Sequence, residues 1–110
     1  MLFRSSVGGL VIDNPDAQLA VSAIGNIVFK VDQGGRNAGL ITITGGSGAA
    51  SYSSELSIPN GTLVNTGTIR STTGARNGPR TLRGDVDNQG TIAAVNQNLN
   101  YSGEIGRAHV

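Results

Sequence analysis

Short runs of apolar and β-branched residues recur along the first half of the chain, each bounded by glycine, asparagine, aspartate or proline. These runs cover residues 10–12, 17–23, 27–31 and 40–44. Apolar runs of this length between turn-forming residues are typical of β-strands. In the third run, strand alternation places Ile27, Phe29 and Val31 on one face. No window shows the apolar spacing of an amphipathic helix, so the pattern predicts an all-β chain.

The composition supports this prediction and narrows the class of protein. Of the 110 residues, 17 are glycine, 37% are hydrophobic and only 14% are charged, against about 25% charged in an ordinary globular domain. The glycines show no three-residue period, which excludes collagen. We expect one turn-rich domain at this length.

Charge and cysteine usage exclude several classes of function. The net charge is +1, which gives no basis for nucleic acid as a partner. The chain has no cysteine, so it has neither a disulfide framework nor cysteine metal ligands. The most apolar stretch, residues 17–29, is too short to span a bilayer. We therefore expect no nucleic-acid binding and no membrane insertion by this segment.

A nine-residue pattern occurs twice without gaps. Residues 61–69 read Gly-Thr-Leu-Val-Asn-Thr-Gly-Thr-Ile, and residues 84–92 read Gly-Asp-Val-Asp-Asn-Gln-Gly-Thr-Ile. A poorer third copy begins at Gly39, at nearly the same spacing before Gly61, and in that alignment it lacks the asparagine. Recurrence at a fixed spacing of this size indicates stacked structural units.

In a parallel β-solenoid each repeat forms one coil, and equivalent residues of neighbouring coils lie on top of one another. We therefore expect Leu63 to stack on Val86, and Ile69 on Ile92, in two inward apolar columns. An alternative uses the same Asn-x-Gly residues to close an ordinary hairpin, in which residues 62–65 pair with residues 68–71. The gap-free repeat favours the solenoid.

The repeated asparagines and glycines predict the structure of the bend. Asn65 is expected to stack on Asn88 in an amide ladder, in which each side chain hydrogen-bonds the next. Gly67 and Gly90 are expected to supply the positive φ angle that the bend requires.

The two repeats resemble those of large bacterial secreted surface proteins, namely filamentous-haemagglutinin-like adhesins and autotransporter passenger domains. The resemblance covers residues 61–92. It implies a right-handed parallel β-helix, located outside the cell or on the bacterial cell surface, in which each coil has the length of one repeat. The implied partners are neighbouring coils of the same larger chain and host or matrix glycans. The resemblance brings no catalytic residue, cofactor or metal.

The seven C-terminal residues, 104–110, resemble a translated sequencing adapter. We therefore expect residues 1–103 to be an incomplete β-solenoid segment and residues 104–110 to be a non-native tail without a role in the fold. His109 is the only histidine of the chain. Residues 1–103 thus contain neither histidine nor cysteine, which leaves out nucleophile arrangements that depend on a histidine base.

Carboxylates offer the remaining candidate chemistry. Asp85 and Asp87 share one face of a predicted strand, where they could bind Ca²⁺ or serve a polysaccharide-active enzyme; the alternative is that both are solvated, and we favour it. Asp13 and Asp16 flank an Asn-Pro turn, which favours a role in capping that turn.

Four of the seven arginines fall close together in the sequence, namely Arg70, Arg76, Arg80 and Arg83. If the predicted loop at residues 72–79 protrudes, they would form a small basic patch for acidic glycans or another chain. A solvated loop is the favoured alternative.

Two functions remain after these exclusions. The first is a structural spacer segment of an extracellular bacterial adhesin-like protein, without catalysis of its own. The second is a fragment of a β-helical lyase or glycosidase that acts on polysaccharides, with Asp85 and Asp87 near its groove.

Overall fold

The fold consists of short β-strands joined by turns. The computed structural model describes residues 2–22, 26–45, 52–74, 78–95, 98–103 and 105–106. Within these ranges the chain forms strands and no helix, as the sequence predicts, so none of the described residues belongs to a helix that could cross a membrane. The strands are β1 (Leu2–Val7), β2 (Leu10–Ile12), β3 (Gln18–Val21), β4 (Asn26–Val31), β5 (Gly34–Asn37), β6 (Leu40–Ile43), β7 (Ser54–Asn65), β8 (Thr68–Ser71), β9 (Arg80–Asn88), β10 (Thr91–Ala94), β11 (Asn100–Ser102) and β12 (Ile105–Gly106).

The described strands form two sheets, and every pair of neighbours in them is parallel. In the larger sheet, β1 and β2 lie at one end, β4, β5 and β7 in the middle, and β9 carries β11 and β12 at the other end. The smaller sheet has the order β3, β6, β8, β10. After each excursion the chain therefore returns to both sheets and adds a strand beside the previous one.

The length of each excursion varies. Paired residues are 28 positions apart at Asn37 and Asn65, 23 apart at Asn65 and Asn88, and 19 apart at Arg83 and Ser102. A bulge interrupts the pairing of β7 with β9 between Ile58 and Thr62 and accounts for part of this variation. The spacing of the sequence repeat is thus one among several.

The predicted apolar columns are confirmed. Leu63 lies opposite Val86 in the larger sheet, and Ile69 lies opposite Ile92 in the smaller one. All four residues are at most 2% exposed. The hairpin alternative is wrong, because β7 pairs with β5 and β9 while β8 pairs with β6 and β10.

One aliphatic core joins the two sheets. Alternate residues point inward, as in β6 and β8, where buried and partly exposed positions alternate. The buried members are Val21, Val31, Ile41, Ile43, Leu56, Ile58, Leu63, Ile69, Leu82, Val86 and Ile92. Ile27 and Phe29 pack against this cluster, which confirms the predicted inward face of β4.

The expectation of positive φ angles at Gly67 and Gly90 is wrong. Neither glycine adopts such an angle. The reason for glycine is the close approach of neighbouring backbones. A Cβ atom on Gly67 would lie 2.2 Å from the carbonyl oxygen of Gly39, and one on Gly90 would lie 2.2 Å from that of Gly67. Any side chain at these positions would force the parallel strands apart.

The C-terminal tail differs from expectation at two residues. Ile105 and Gly106 pair through their backbone with Val86 and Asp87 of β9, so they extend the larger sheet. An open strand edge accepts an extended segment with little regard to its side chains. Residue 104 and residues 107–110 lie outside the described part of the chain.

Candidate functional site

Three asparagines form a column at the bend between the two sheets. Asn37, Asn65 and Asn88 end β5, β7 and β9, and none of them is exposed to solvent. The side-chain Nδ2 of Asn37 donates to Oδ1 of Asn65 at 2.8 Å, and Nδ2 of Asn65 donates to Oδ1 of Asn88 at 2.8 Å. The predicted ladder of Asn65 and Asn88 is confirmed, and we call the three residues the asparagine column.

The sequence analysis missed Asn37 because it aligned Gly39 with Gly61. The parallel register instead places β6 on β8, so that Leu40 lies opposite Thr68 and Ile41 opposite Ile69. Gly39 therefore corresponds to Gly67. The signal that finds all three members is the pattern Asn-x-Gly-x-Ile, which begins at residues 65 and 88 and, with isoleucine in the same place after Leu40, at residue 37.

Each asparagine also holds its own bend together. Oδ1 of Asn37 accepts from the backbone N–H of Gly39 at 3.1 Å, and Oδ1 of Asn88 accepts from that of Gly90 at 3.3 Å. The backbone carbonyl of Asn37 accepts from the N–H groups of Thr66 and Gly67. Short amide side chains commonly bond the backbone two residues ahead, which turns the chain. The column therefore both turns the chain and satisfies buried polar groups.

The column has a direction and an open end. Each amide donates toward the next strand, from β5 to β7 to β9. At the end of the series, Nδ2 of Asn88 is buried and has no hydrogen-bond acceptor among the described residues. A buried amide donor without an acceptor costs about 1–3 kcal/mol. This atom is therefore the one strained polar group that the column leaves behind.

Arg80 is buried, which corrects its predicted place in a basic patch. It begins β9 and is 0% exposed. Its guanidinium donates to backbone carbonyls of neighbouring segments, namely those of Tyr52 at 2.9 Å, Thr72 at 3.1 Å and Thr73 at 2.9 Å. Burial lowers the pKa of Arg80, but an arginine starts from so high a value that it stays protonated. Arg80 joins turns rather than presenting charge to a ligand.

The other clustered arginines do not converge on one surface. Arg83 forms an ion pair with Glu55, with Nε 3.2 Å from Oε2, and donates to the hydroxyl of Ser102. Nε of Arg70 donates to the hydroxyl of Thr42 at 3.2 Å. Arg76 lies outside the described residues. The basic-patch prediction is therefore wrong for Arg80, and Arg83 has its charge balanced by an acid.

Asp85 and Asp87 lie on the outward face of β9, on either side of the buried Val86. Asp85 is exposed, and Oδ2 of Asp87 accepts from Nε2 of Gln89 at 3.1 Å. Among the described residues, no group of three histidine, cysteine, aspartate or glutamate side chains is placed to hold a metal ion. The two aspartates thus share a face as predicted, without a third acidic ligand in the described part of the chain.

Asp13 does not cap the turn that follows it. Asn14 takes that role, because its Oδ1 accepts from the backbone N–H of Asp16 at 2.8 Å. Asp13 instead receives two hydrogen bonds from the guanidinium of Arg36, on the neighbouring strand β5, at 2.6 and 2.9 Å. These bonds hold the pKa of Asp13 below its ordinary value and raise that of Arg36. Both side chains remain more than half exposed.

The chain was also compared with known proteins. No family model, no curated protein and no solved structure matches it. The functional proposal therefore depends on the geometry above together with the sequence resemblance.

Proposed function

We propose that the chain is a segment of a right-handed parallel β-helix that serves as a structural spacer in an extracellular bacterial adhesin-like protein. In this proposal each passage through the two sheets is one coil, and the segment has no catalysis of its own. Its direct partners are the neighbouring coils of the same larger protein, with host or matrix glycans as external ligands of the whole.

The observation that carries the proposal is the stacking of like on like at the bend. Asparagine lies on asparagine, glycine on glycine and isoleucine on isoleucine across three successive strands. Such columns are what a chain needs in order to add coils without changing its cross-section. A structure that grows by identical steps suits a part whose task is to hold other parts at a distance.

The chemistry of the described residues supports a structural role over an enzymatic one. The interior is filled by aliphatic side chains, and its buried polar groups are mostly paired with one another or with the backbone. The enzyme alternative depends on Asp85 and Asp87, which lie on an outward strand face. We keep it as the second candidate because outward carboxylates on a parallel sheet are where such an enzyme would hold a sugar.

The spacer proposal is tested by the stiffness of the chain. Val11, on β2, and Val95, directly after β10, are both exposed and the chain has no cysteine. The double variant Val11→Cys and Val95→Cys therefore takes two dyes without competition. A stiff spacer gives one narrow distance distribution within the 36 Å long dimension of the molecule. A flexible chain of that length gives a broad distribution around roughly 50 Å.

The enzyme candidate needs its own arm. The chain is incubated with acidic and neutral polysaccharides, and released reducing ends and unsaturated sugars are measured. The spacer proposal predicts no release. Release that is abolished in the Asp85→Asn and Asp87→Asn variants would favour the enzyme, and a broad distance distribution would contradict the spacer.

A further inference from the structure

We propose that the outer edge of β10, together with the Asn88 bend, is a strand-addition site for an extended peptide segment that carries Asn-x-Gly followed by β-branched residues. The segment would lie parallel to β10, with its asparagine on Asn88. This inference rests on the parallel stacking of the proposed function and goes beyond it by naming the chemistry of the partner.

The first observation is the unequal pairing within the smaller sheet. β6 and β8 each have a strand on both sides, whereas β10 pairs with β8 alone among the described strands. One side of β10 therefore presents backbone N–H and C=O groups at the sheet edge. Such an edge is a template for one more strand, with backbone bonds giving affinity and side-chain positions giving selectivity.

The second observation is the unsatisfied amide at the same place. Nδ2 of Asn65 has two acceptors on the following strands, Oδ1 of Asn88 at 2.8 Å and the carbonyl of Thr91 at 3.1 Å. The corresponding Nδ2 of Asn88 is buried and has none among the described residues. The missing partner is therefore a neutral side-chain oxygen stacked on Asn88, followed three residues later by a backbone carbonyl. Asparagine supplies the oxygen without burying a charge.

The third observation fixes the residue two places after that asparagine. Gly39, Gly67 and Gly90 lie in one column, and a Cβ atom on Gly67 or Gly90 would collide with the carbonyl of the glycine before it. A residue stacked on Gly90 meets the same obstacle and has to be glycine. The buried column of Ile41, Ile69 and Ile92 then continues with a β-branched residue.

A second copy of the chain fits this site poorly. Its first strand end would present Ile12, which lies opposite Asn37 in the register of β2 with β5. Isoleucine has no acceptor for Nδ2 of Asn88. The position that corresponds to the glycine column is Ala17 in that strand end, since its carbonyl bonds the N–H of Leu40. The geometry thus favours an Asn-x-Gly segment over the first strands of another copy.

The test uses the full chain and a peptide taken from its own β8 bend. The peptide spans residues 65–71, Asn-Thr-Gly-Thr-Ile-Arg-Ser, with both ends blocked. It is titrated into isotope-labelled protein while backbone amides and side-chain amides are followed by NMR. We expect saturable shifts at the Asn88 side-chain amide and at the backbone of residues 91–94, and none at β3 on the opposite end of the sheet.

Two matched peptides separate recognition from general stickiness. The Asn65→Leu peptide removes the acceptor for Asn88, and the Gly67→Ala peptide adds the colliding Cβ atom. Each is expected to bind roughly tenfold more weakly or worse, which corresponds to the cost of one unmade buried hydrogen bond. Equal binding of all three peptides would overturn the inference, and so would shifts confined to β3 or no binding.

The same spectra separate this inference from the proposed function. Contacts between the side-chain amides of Asn37, Asn65 and Asn88 in the free protein report the parallel stacking itself. If these contacts are present and the peptide does not bind, the strand-addition site alone is refuted. If they are absent, the stacking fails with it. Self-association that protects the Asn88 amide without peptide would show that a second copy is the occupant, which would also overturn the proposal.

Discussion

The side chain of Asn65 donates a hydrogen bond of 2.8 Å to that of Asn88, which lies 23 residues further along the chain and is equally buried. Asn65 also accepts the corresponding bond from Asn37. One residue therefore links three parallel strands, and its removal should affect more than its own bend.

We expect Asn65→Ala to lower the free energy of unfolding by about 1–3 kcal/mol, because it leaves the Asn37 donor and the Asn88 acceptor each short of a buried partner. Urea denaturation measures the change. Asn60→Ala, at an exposed asparagine in the bulge of β7, is the control and should stay within about 0.5 kcal/mol of wild type. Equal stability of the two variants would show that the column is not a structural element.

The glycine column gives a prediction with a matched control. Gly67→Ala should destabilise the chain by about 1–3 kcal/mol, because its Cβ atom meets the Gly39 carbonyl oxygen at 2.2 Å. Gly8→Ala meets nothing within 4 Å and should change stability by less than about 0.5 kcal/mol. Thermal unfolding of both variants compares them directly. A tolerated alanine at Gly67 would mean that the neighbouring strands are further apart than described.

These two columns show how far the sequence could predict the fold. The gap-free repeat was enough to pair Leu63 with Val86 and Asn65 with Asn88, because equal spacing preserves register. It was not enough to place Asn37, because the excursion between Asn37 and Asn65 is 28 residues long and includes the bulge after Ile58. Variable excursion length hides equivalence from any fixed offset.

The candidate site was harder to predict for a different reason. Arg80 occurs among polar loop residues, and charge there normally signals solvent exposure. Its burial depends on carbonyls from Tyr52, Thr72 and Thr73, which only the folded chain brings together. Likewise, the partner of Asp13 is Arg36 on the next strand, and no local pattern marks that pair.

Removal of the Arg80 side chain should be costly. Arg80→Met leaves several partly buried carbonyls without donors, and we expect a loss of about 2–4 kcal/mol in unfolding free energy. Arg80→Lys keeps the charge but lacks the planar fork, so it should restore only part of the loss. The control is Arg83→Met, whose ion pair with Glu55 is half exposed on the arginine side and whose loss should cost at most about 1 kcal/mol. Comparable losses at Arg80 and Arg83 in chemical denaturation would contradict the buried role.

The Asp13–Arg36 pair predicts a pH dependence. Its hydrogen bonds lower the pKa of Asp13 in the folded state, so its contribution to stability is complete above the unfolded-state pKa and is lost as pH falls through the folded-state value. The stability difference between wild type and Asp13→Asn should therefore be present at neutral pH and vanish in strong acid. Urea midpoints measured between about pH 2 and 7 test this. Added salt should shrink the neutral-pH difference, because the pair is exposed. A difference that grows toward acid would have the wrong sign.

The central claim is that the chain folds as parallel strands with like residues stacked at the bend. Nuclear Overhauser contacts in uniformly labelled full-length protein test it most directly. The account predicts contacts between the side-chain amides of Asn65 and Asn88 and between the methyl groups of Ile69 and Ile92, at positions 23 residues apart. Antiparallel contacts between residues 62–65 and residues 68–71, without those long-range contacts, would contradict it.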